Sequence, residues 1–289
     1  MSPDEYCQQK TQNSGSSFYY SFLFLPEDQR RAITALYAFC REVDDIVDES
    51  SAAEIAKIKL QWWRETIHKT FLGNPEHPIQ QALIAPITRF NLSETYFQEI
   101  INGMEMDLDK HRYSTFSELS QYCYRVASVV GLMAAEIFGY HNKNVLDYAK
   151  DLGMAFQLTN IFRDVKEDAA RGRIYIPLDE MKNFNVSEKD ILTATTNKDT
   201  QALLRFQGDR ARHYYNQAFA QLPEQDRYSQ RSGLIMAAIY LQTLVAIENG
   251  GYRVFDNRIS LSPLRKLWLA WRTLRTEKKR YNKLLFRDL

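Results

Sequence analysis

The sequence predicts an all-α protein, a helical bundle, and three observations support this. Apolar residues recur at spacings of three and four over most of the chain, which is the period of a helix with one apolar face. Segments with the strict alternation of a β-strand are hard to find. Only 11 glycines and 8 prolines occur in 289 residues, and they stand at plausible helix ends. The periodic segments are 30–47, 55–70, 93–106, 116–138, 145–165, 200–221 and 231–249.

Several of these segments begin with the signals of a helix start. Pro26 is followed by two acidic residues before the first long segment. Ser117 and Ser187 each precede an acidic residue and are predicted to cap the first turns of their helices. No linker rich in Pro, Gly or Ser divides the chain, so residues 1–289 are predicted to form one domain.

The composition excludes several classes of protein. Hydrophobic residues make up 45% of the chain, which is enough for a large core. The formal net charge is only +1, so the overall charge favours no nucleic-acid partner. The polar N-terminus lacks the pattern of a secretory signal, and the longest apolar segment, 233–247, is shorter than a bilayer-spanning helix. We therefore expect a cytoplasmic protein without a spanning helix.

Two short acidic segments, far apart in the chain, predict a binding site. Asp44 and Asp48 are four residues apart, and the same spacing joins Asn160, Asp164 and Asp168, so each set shares one helix face. Like charges at this spacing repel by roughly 0.2–0.5 kcal/mol per pair, so a cation is expected to compensate them. Mg²⁺ prefers carboxylate oxygens and keeps several water ligands, so few side chains per ion are enough. Together the segments predict a cluster of divalent ions that holds a diphosphate.

Basic residues flank both acidic segments. Arg41 lies one turn before Asp44, and an arginine can bind phosphate oxygens through two parallel hydrogen bonds. In the alternative interpretation, the acidic segments are ordinary solvated helix ends that Arg163, Lys166 and Arg171 neutralise. The residues alone leave both interpretations open.

Between the acidic segments, residues 122–131 are predicted to form a helix with small residues on one side. Such a side either lets neighbouring helices approach closely or leaves room for a long apolar ligand. Close packing is the more common reason. Next to two acidic helices, however, a hydrophobic pocket would suit a molecule with a polyisoprenyl tail and a diphosphate head.

Three motifs resemble those of the squalene and phytoene synthases, which are head-to-head prenyl transferases with the all-helical isoprenoid-synthase fold around a central apolar cavity. The motifs are the segments 14–18, 37–49 and 122–128, and the resemblance extends from about residue 6 to residue 269. Within the family they look most like the bacterial presqualene diphosphate synthases of hopanoid biosynthesis. One departure is Ser128, where many relatives have glycine, and its side chain is expected to narrow the pocket.

The resemblance implies roles for particular residues. Mg²⁺ would be bound by Asp44, Asp48, Asn160, Asp164 and Asp168. The four aspartates, Arg41 and Tyr122, which is expected near the reacting carbons, form the predicted catalytic set. The residues facing the diphosphates would be Ser17, Tyr37, Arg41, Arg173 and Tyr175, with Arg258 as a weaker candidate. The walls of the prenyl channel would be Phe18, Phe22, Val126, Val130, Leu158 and Tyr240, with Gln157 as a further substrate-binding residue.

The reaction that the resemblance implies is a Mg²⁺-dependent condensation of two farnesyl diphosphates to presqualene diphosphate, with two or three metal ions. No Gly-rich dinucleotide loop is found, so no nicotinamide cofactor is expected. The catalytic base is left open between Tyr122 and the released diphosphate. The alternatives are a phytoene, dehydrosqualene or squalene synthase, a head-to-tail prenyl transferase or terpene cyclase, and an inactive membrane-associated assembly factor on the same fold.

The C-terminal segment 262–289 differs from the rest of the chain because basic residues are interleaved there with leucines and tryptophans. Such a basic amphipathic helix can lie in the surface of an anionic membrane. Alternatively, the segment packs Trp268 and Trp271 on the domain while its lysines face water. The first interpretation would place a cytoplasmic protein peripherally on the inner face of the membrane. The sequence leaves the oligomeric state open.

Overall fold

The computed structural model describes residues 1–13, 18–50, 52–256 and 258–285, which are mainly helical. Helices account for 77% of the chain and no strand occurs in the described part, so the all-α prediction is confirmed. The α-helices are α1 (Pro3–Asn13), α2 (Phe18–Phe22), α3 (Glu27–Glu49), α4 (Ala53–Phe71), α5 (Pro78–Arg89), α6 (Glu94–Asp109), α7 (Phe116–Cys123), α8 (Val129–Phe138), α9 (Asn144–Arg163), α10 (Val165–Ala170), α11 (Leu178–Asn183), α12 (Glu188–Leu192), α13 (Lys198–Gln221), α14 (Arg231–Asn249) and α15 (Pro263–Leu285).

Two large clusters of buried side chains form most of the core of a single domain, and a small third cluster joins α14 to α15. The first surrounds α9, which packs against α8, α13 and α14 and is buried on most sides. The second is built mainly from α3, α4, α5, α6 and α8. Phe18 and Val126 pack against both clusters, so these two residues mark the seam between them.

Two glycines allow α9 to lie close to the segment that precedes it. A Cβ atom at Gly153 would lie 2.6 Å from the carbonyl oxygen of Ala127, and one at Gly131 would lie 2.5 Å from that of Ala149. A larger residue at either position would therefore require the backbones to separate. Part of the small-residue stretch 122–131 thus serves close helix packing, as one of the two sequence interpretations expected.

The helix that the sequence predicts over 116–138 is interrupted by one irregular turn. Between α7 and α8, Tyr124–Ser128 forms a π-helix, which changes the direction of the side chains that follow it. Ser128 is fully buried, and its hydroxyl donates a hydrogen bond of 2.8 Å to the carbonyl of Lys150 on α9. Its side chain therefore points into the packing between helices, and the expected narrowing of the pocket by Ser128 is not found.

The predicted helix starts are mostly correct. Pro26 precedes α3, and the Ser187 hydroxyl accepts a hydrogen bond of 3.2 Å from the backbone N–H of Asp190 at the start of α12. At α7 the capping residue is Thr115 and not Ser117, because the helix begins two residues earlier than the Ser-Glu pair indicated.

The helix α14 is longer than its apolar segment suggested. By length and composition its 19 residues could cross a membrane, contrary to the expectation from 233–247. In the structure, however, 56% of its most apolar 18-residue stretch is buried, and the helix packs against α2, α9, α13 and α15. These contacts are those of a core helix.

The C-terminal helix α15 packs on the domain, but not through its tryptophans. Trp268 and Trp271 are 41% and 50% exposed, whereas Leu269 and Ala270 are buried against Ile235 of α14. The interpretation in which the tryptophans pack on the domain is therefore wrong. The last residues of the predicted basic segment, 286–289, lie outside the described part of the chain.

Candidate functional site

The two acidic segments meet in one cleft, which we call the acidic cleft. The second half of α3 contributes Asp44 and Asp48, and the junction of α9 with α10 contributes Asp164 and Asp168. The i→i+4 backbone hydrogen bonds continue through that junction, so the predicted stripe is kept. The predicted site residues that line the acidic cleft are Phe18, Tyr37, Arg41, Asp44, Asp48, Tyr122, Val126, Gln157, Asn160, Asp164, Asp168, Arg173, Tyr175, Tyr240 and Arg258.

An apolar cavity adjoins the acidic cleft. Phe22 and Val130, which the sequence predicted as channel walls, line this cavity. Leu158 does not line either space: it is 3% exposed within the core around α9, so its assignment to the channel wall is wrong. Ser17 lies outside the described residues. The residues shared by the cavity and the cleft are Phe18, Tyr37, Cys40, Val126, Gln157 and Asn160.

Arginines occupy several of the carboxylates. Arg171 and Arg173 donate to the two oxygens of Asp48 at 2.8 and 3.1 Å, and these contacts join the two acidic segments across the cleft. Arg41 pairs with Asp44 at 2.5 Å, and Arg163 Nε donates to Asp164 at 2.8 Å. The alternative in which flanking arginines neutralise the acids is thus correct for part of the site.

Asp168 lacks such a partner among the described residues, because its carboxylate makes no ion pair with any of them. Burial, followed by repulsion from Asp164 and Asp107, raises the pKa of Asp168 to about 7. Burial also raises the pKa of Asp44 to about 6, although Arg41 acts in the opposite direction. Because a carboxylate in poor contact with water resists ionisation, both groups would gain from a nearby cation.

The donor set in the cleft fits a hard divalent cation. The Oδ1 atom of Asn160 is buried and accepts no hydrogen bond from the described part of the protein. It lies on the same stripe as Asp164 and Asp168, and carboxylate and amide oxygens are suitable ligands for Mg²⁺. Among the described residues, no three His, Cys, Asp or Glu side chains are already arranged around a common metal position. Metal binding would therefore require some carboxylates to leave their arginine partners and contact the metal ion.

The sequence analysis missed Asp107, which lines the floor of the acidic cleft. Asp107 is only 4% exposed, and its two oxygens accept hydrogen bonds of 2.8 Å from Tyr122 and Tyr175. The two rings stack with centroids 5.2 Å apart. Burial raises the pKa of Asp107 to about 6, although both tyrosine hydrogen bonds lower it. The signal was present in the sequence, because Asp107 lies seven residues after Ile100 and three after Met104 on the buried side of α6.

This cluster fixes the state of Tyr122. Burial, followed by repulsion from Asp107, raises the pKa of Tyr122 well above its ordinary value. Its hydroxyl therefore stays protonated near neutral pH and donates to Asp107. Tyr122 is thus a hydrogen-bond donor with a fixed ring and not a phenolate.

The fold and the site together define a class of protein, the isoprenoid synthases of the all-α fold, in which an acidic cleft adjoins an apolar cavity. The sequence model of squalene/phytoene synthases matches residues 11–265, and the chain belongs to that family. The family resemblance inferred from the motifs is thereby confirmed.

Two relatives and two solved structures illustrate the similarity. The chain is 38% identical over 278 residues to the 15-cis-phytoene synthase of Synechococcus elongatus, which covers 91% of this chain and 89% of the relative. It is 38% identical over 279 residues to a phytoene synthase of Arthrospira platensis, with 91% and 89% coverage. A dehydrosqualene synthase structure superposes with a TM-score of 0.84 at 28% identity, covering 96% and 97% of the two chains. Squalene synthase HpnC from Alicyclobacillus acidocaldarius gives a TM-score of 0.79 at 27% identity, covering 86% of this chain and 94% of that one.

The raised pKa values predict how pH changes the response to metal. Between about pH 4 and 7 the folded protein holds protons on Asp44 and Asp168 that the unfolded chain has lost, so the stability of the metal-free protein falls as pH rises. Mg²⁺ with pyrophosphate should bind the ionised carboxylates, and the resulting rise in Tm should be larger at pH 8 than at pH 6. Thermal melts with and without the two ligands measure this.

Asp168→Asn should remove most of the pH dependence of the rise in Tm that Mg²⁺ and pyrophosphate cause. Asp147→Asn, at an exposed acidic residue of α9, should leave that pH dependence unchanged. An equal rise in Tm at both pH values would contradict the proposed ligands.

The Asp107 cluster predicts that the loss of a single hydroxyl group destabilises the protein. Tyr122→Phe removes one of the two hydrogen bonds to a buried carboxylate and should lower the free energy of unfolding by about 1.5–3 kcal/mol. Urea unfolding measures the change. Tyr148→Phe is the matched control, because the Tyr148 hydroxyl is buried without a hydrogen-bond partner in the described structure, and its loss should cost little. A cost for Tyr148→Phe as large as that for Tyr122→Phe would contradict the assigned role of the hydrogen bond.

Proposed function

We propose that this chain is a head-to-head prenyl transferase that condenses two geranylgeranyl diphosphates and gives phytoene. The observation that supports the proposal most strongly is the junction of the acidic cleft with the apolar cavity. Phe18, Val126 and Asn160 line both spaces, so a ligand can place its charged head among carboxylates and arginines while its chain enters the cavity. A prenyl diphosphate has this combination of a polar head and a long apolar chain.

The residues of the acidic cleft would prepare the diphosphate for departure. Asp44, Asp48, Asn160, Asp164 and Asp168 would hold Mg²⁺, which would supply withdrawal of charge from the diphosphate. Carboxylates that contact the metal ion would no longer bind the arginines of the cleft, and these arginines would be released. Their guanidinium groups could then bind phosphate oxygens through paired hydrogen bonds, which are strong when both partners are charged. The arginines are Arg41, Arg163, Arg171, Arg173 and Arg258.

The walls of the cavity would protect the allylic cation that remains. Aromatic rings stand where the cleft and the cavity meet: Phe18 lies 6.4 Å from Phe156, and Phe156 lies 4.8 Å from Tyr240, between ring centroids. Aromatic faces attract cations and contain no nucleophile. They would exclude the water that otherwise converts the cation to an alcohol, and would hold the double bond of the second substrate against it.

The proton lost from the coupled intermediate needs an acceptor. Tyr122 is a poor candidate, because it is held protonated as a donor to Asp107. We therefore assign this step to the released diphosphate. Tyr122 and Tyr175 would instead keep a rigid polar wall beside the reacting carbons.

The choice of product rests on the relatives and on the sequence motifs, which favour different chain lengths. Relatives that are 34–38% identical to the chain carry the name phytoene synthase, and they support the C20 substrate. The second candidate is the condensation of two farnesyl diphosphates to presqualene diphosphate, which the sequence motifs favoured. The similarity to dehydrosqualene synthase and to squalene synthase HpnC supports this C15 alternative.

Product analysis tests the proposal. Purified protein with Mg²⁺ and geranylgeranyl diphosphate should form phytoene without nicotinamide cofactor. Asp48→Ala and Asp164→Ala should abolish turnover while leaving the helical circular dichroism intact, because each removes a predicted metal ligand. Presqualene diphosphate from farnesyl diphosphate alone would favour the second candidate. A hydrocarbon formed only with reduced nicotinamide, or no product from either substrate, would contradict the proposed reaction.

The depth of the cavity gives a separate prediction about chain length. Val126, Val130 and Ala134 follow each other at helical spacing and line the cavity, and only Val126 also lines the cleft, so Ala134 lies deeper. Ala134→Phe should lower kcat/KM for geranylgeranyl diphosphate about 10- to 100-fold more than for farnesyl diphosphate, because the longer chain reaches further. Ala202→Phe, at an exposed position of α13, is the control. An equal effect on both substrates would exclude Ala134 as a depth limit.

A further inference from the structure

The helix α15 has one side that packs on the domain. Leu269 and Ala270 are buried against Ile235 and Ile239 of α14. Glu277 is 4% exposed and accepts hydrogen bonds of 2.9 and 3.0 Å from Arg227. These contacts fix the rotation of the helix, and therefore decide which residues face solvent.

The opposite side, which we call the outer face of α15, is apolar in its first half. Leu264 is 79% exposed, and Leu267, Trp268 and Trp271 are exposed at about half that level or slightly more. A soluble surface rarely presents two tryptophans and two leucines on consecutive turns of one helix without a partner. The outer face consists of Leu264, Leu267, Trp268, Trp271, Arg272, Arg275, Lys278 and Lys279.

The charged residues of α15 are almost all positive. The helix contains eight Lys or Arg residues and one acidic residue, Glu277, which is buried on the packed side. The outer face therefore carries positive charge without a counter-charge from its own helix. The basic residues are Arg265, Lys266, Arg272, Arg275, Lys278, Lys279, Arg280 and Lys283.

Arginines stand beside the exposed indoles. The guanidinium carbons of Arg265 and Arg272 lie 4.7 and 5.2 Å from the ring centre of Trp268, and that of Arg275 lies 5.3 Å from the ring of Trp271. An indole with a cation over its ring suits the boundary between lipid headgroups and acyl chains, where one part is apolar and the other is wet and anionic.

We propose that the outer face of α15 docks the protein on an anionic lipid bilayer. The tryptophans and leucines enter the headgroup boundary, and the arginines and lysines lie near the lipid phosphates. A second copy of this chain is a poorer occupant, because a symmetric contact would bring two positive faces together. The surface also lies close to the substrate cavity, since α15 packs against α2, and Phe18 and Phe22 of α2 line that cavity.

Vesicle co-sedimentation of the full chain tests the proposal. The protein should bind vesicles of phosphatidylcholine mixed with phosphatidylglycerol, and bind much less to vesicles of phosphatidylcholine alone or in high salt. Arg275→Glu with Lys279→Glu should lower the partition coefficient at least about thirtyfold, and Trp268→Ser with Trp271→Ser should lower it by a similar factor.

The matched control changes the same kinds of side chain on another surface. Lys189→Glu with Leu192→Ser replaces one exposed lysine and one exposed apolar residue of α12, and should leave vesicle binding unchanged. All variants should keep the wild-type Tm and the wild-type turnover of detergent-dispersed substrate, which separates loss of docking from loss of folding and from failure of the proposed function.

Three results would overturn the proposal. They are the absence of binding to anionic vesicles, equal binding to neutral vesicles, and charge-reversed variants that bind like the wild type. The alternative is that a second copy of the chain binds the outer face. Light scattering tests it by measuring the molar mass of the wild type and of the Trp268→Ser, Trp271→Ser variant. Loss of a dimer in that variant, with vesicle binding unchanged, would assign the outer face to contact between copies of the chain.

Discussion

The balance between carboxylates and arginines in the acidic cleft is the constraint on which the rest of the site depends. Asp44 and Asp48 come from one part of the core, and Asp164 and Asp168 come from the other, so packing the two parts together brings like charges together. Arg171 and Arg173 offset this by binding Asp48 from the opposite segment. The compensation is incomplete at Asp168, whose pKa stays raised. As many arginines as aspartates line the cleft, but Asp168 makes no ion pair among the described residues, and a metal ion could supply the positive charge that it lacks there.

The Asp107 cluster holds a further buried carboxylate of the acidic cleft without an arginine. A buried carboxylate is costly unless its oxygens are hydrogen-bonded, and both oxygens of Asp107 are occupied by tyrosine hydroxyls. The stacked rings of Tyr122 and Tyr175 are thereby held in place in the acidic cleft, and neither lines the apolar cavity.

The sequence predicted the helical class and the acidic stripes because each depends on spacing within one helix. The family resemblance placed Leu158 in the channel wall, whereas α9 is buried on most sides and Leu158 lies in the core around it. Asp107 was missed since a carboxylate near a helix end resembles a solvated one unless its register with Ile100 is considered. The pairing of Arg171 and Arg173 with Asp48 joins residues far apart in the chain, and only the tertiary structure supplies such contacts.

Charge is distributed unevenly between α15 and the rest of the chain. The chain has a formal charge of only +1, yet α15 holds eight basic residues and one acidic residue, so the remainder of the chain is negative by six charges. A nearly neutral protein with separated charge has a strong preferred orientation near a charged surface. An anionic bilayer would attract α15 and repel the acidic remainder of the chain. Both effects favour the orientation in which α15 faces the bilayer. The near-neutral total, which favours no nucleic-acid partner, therefore conceals a basic surface that suits an anionic bilayer.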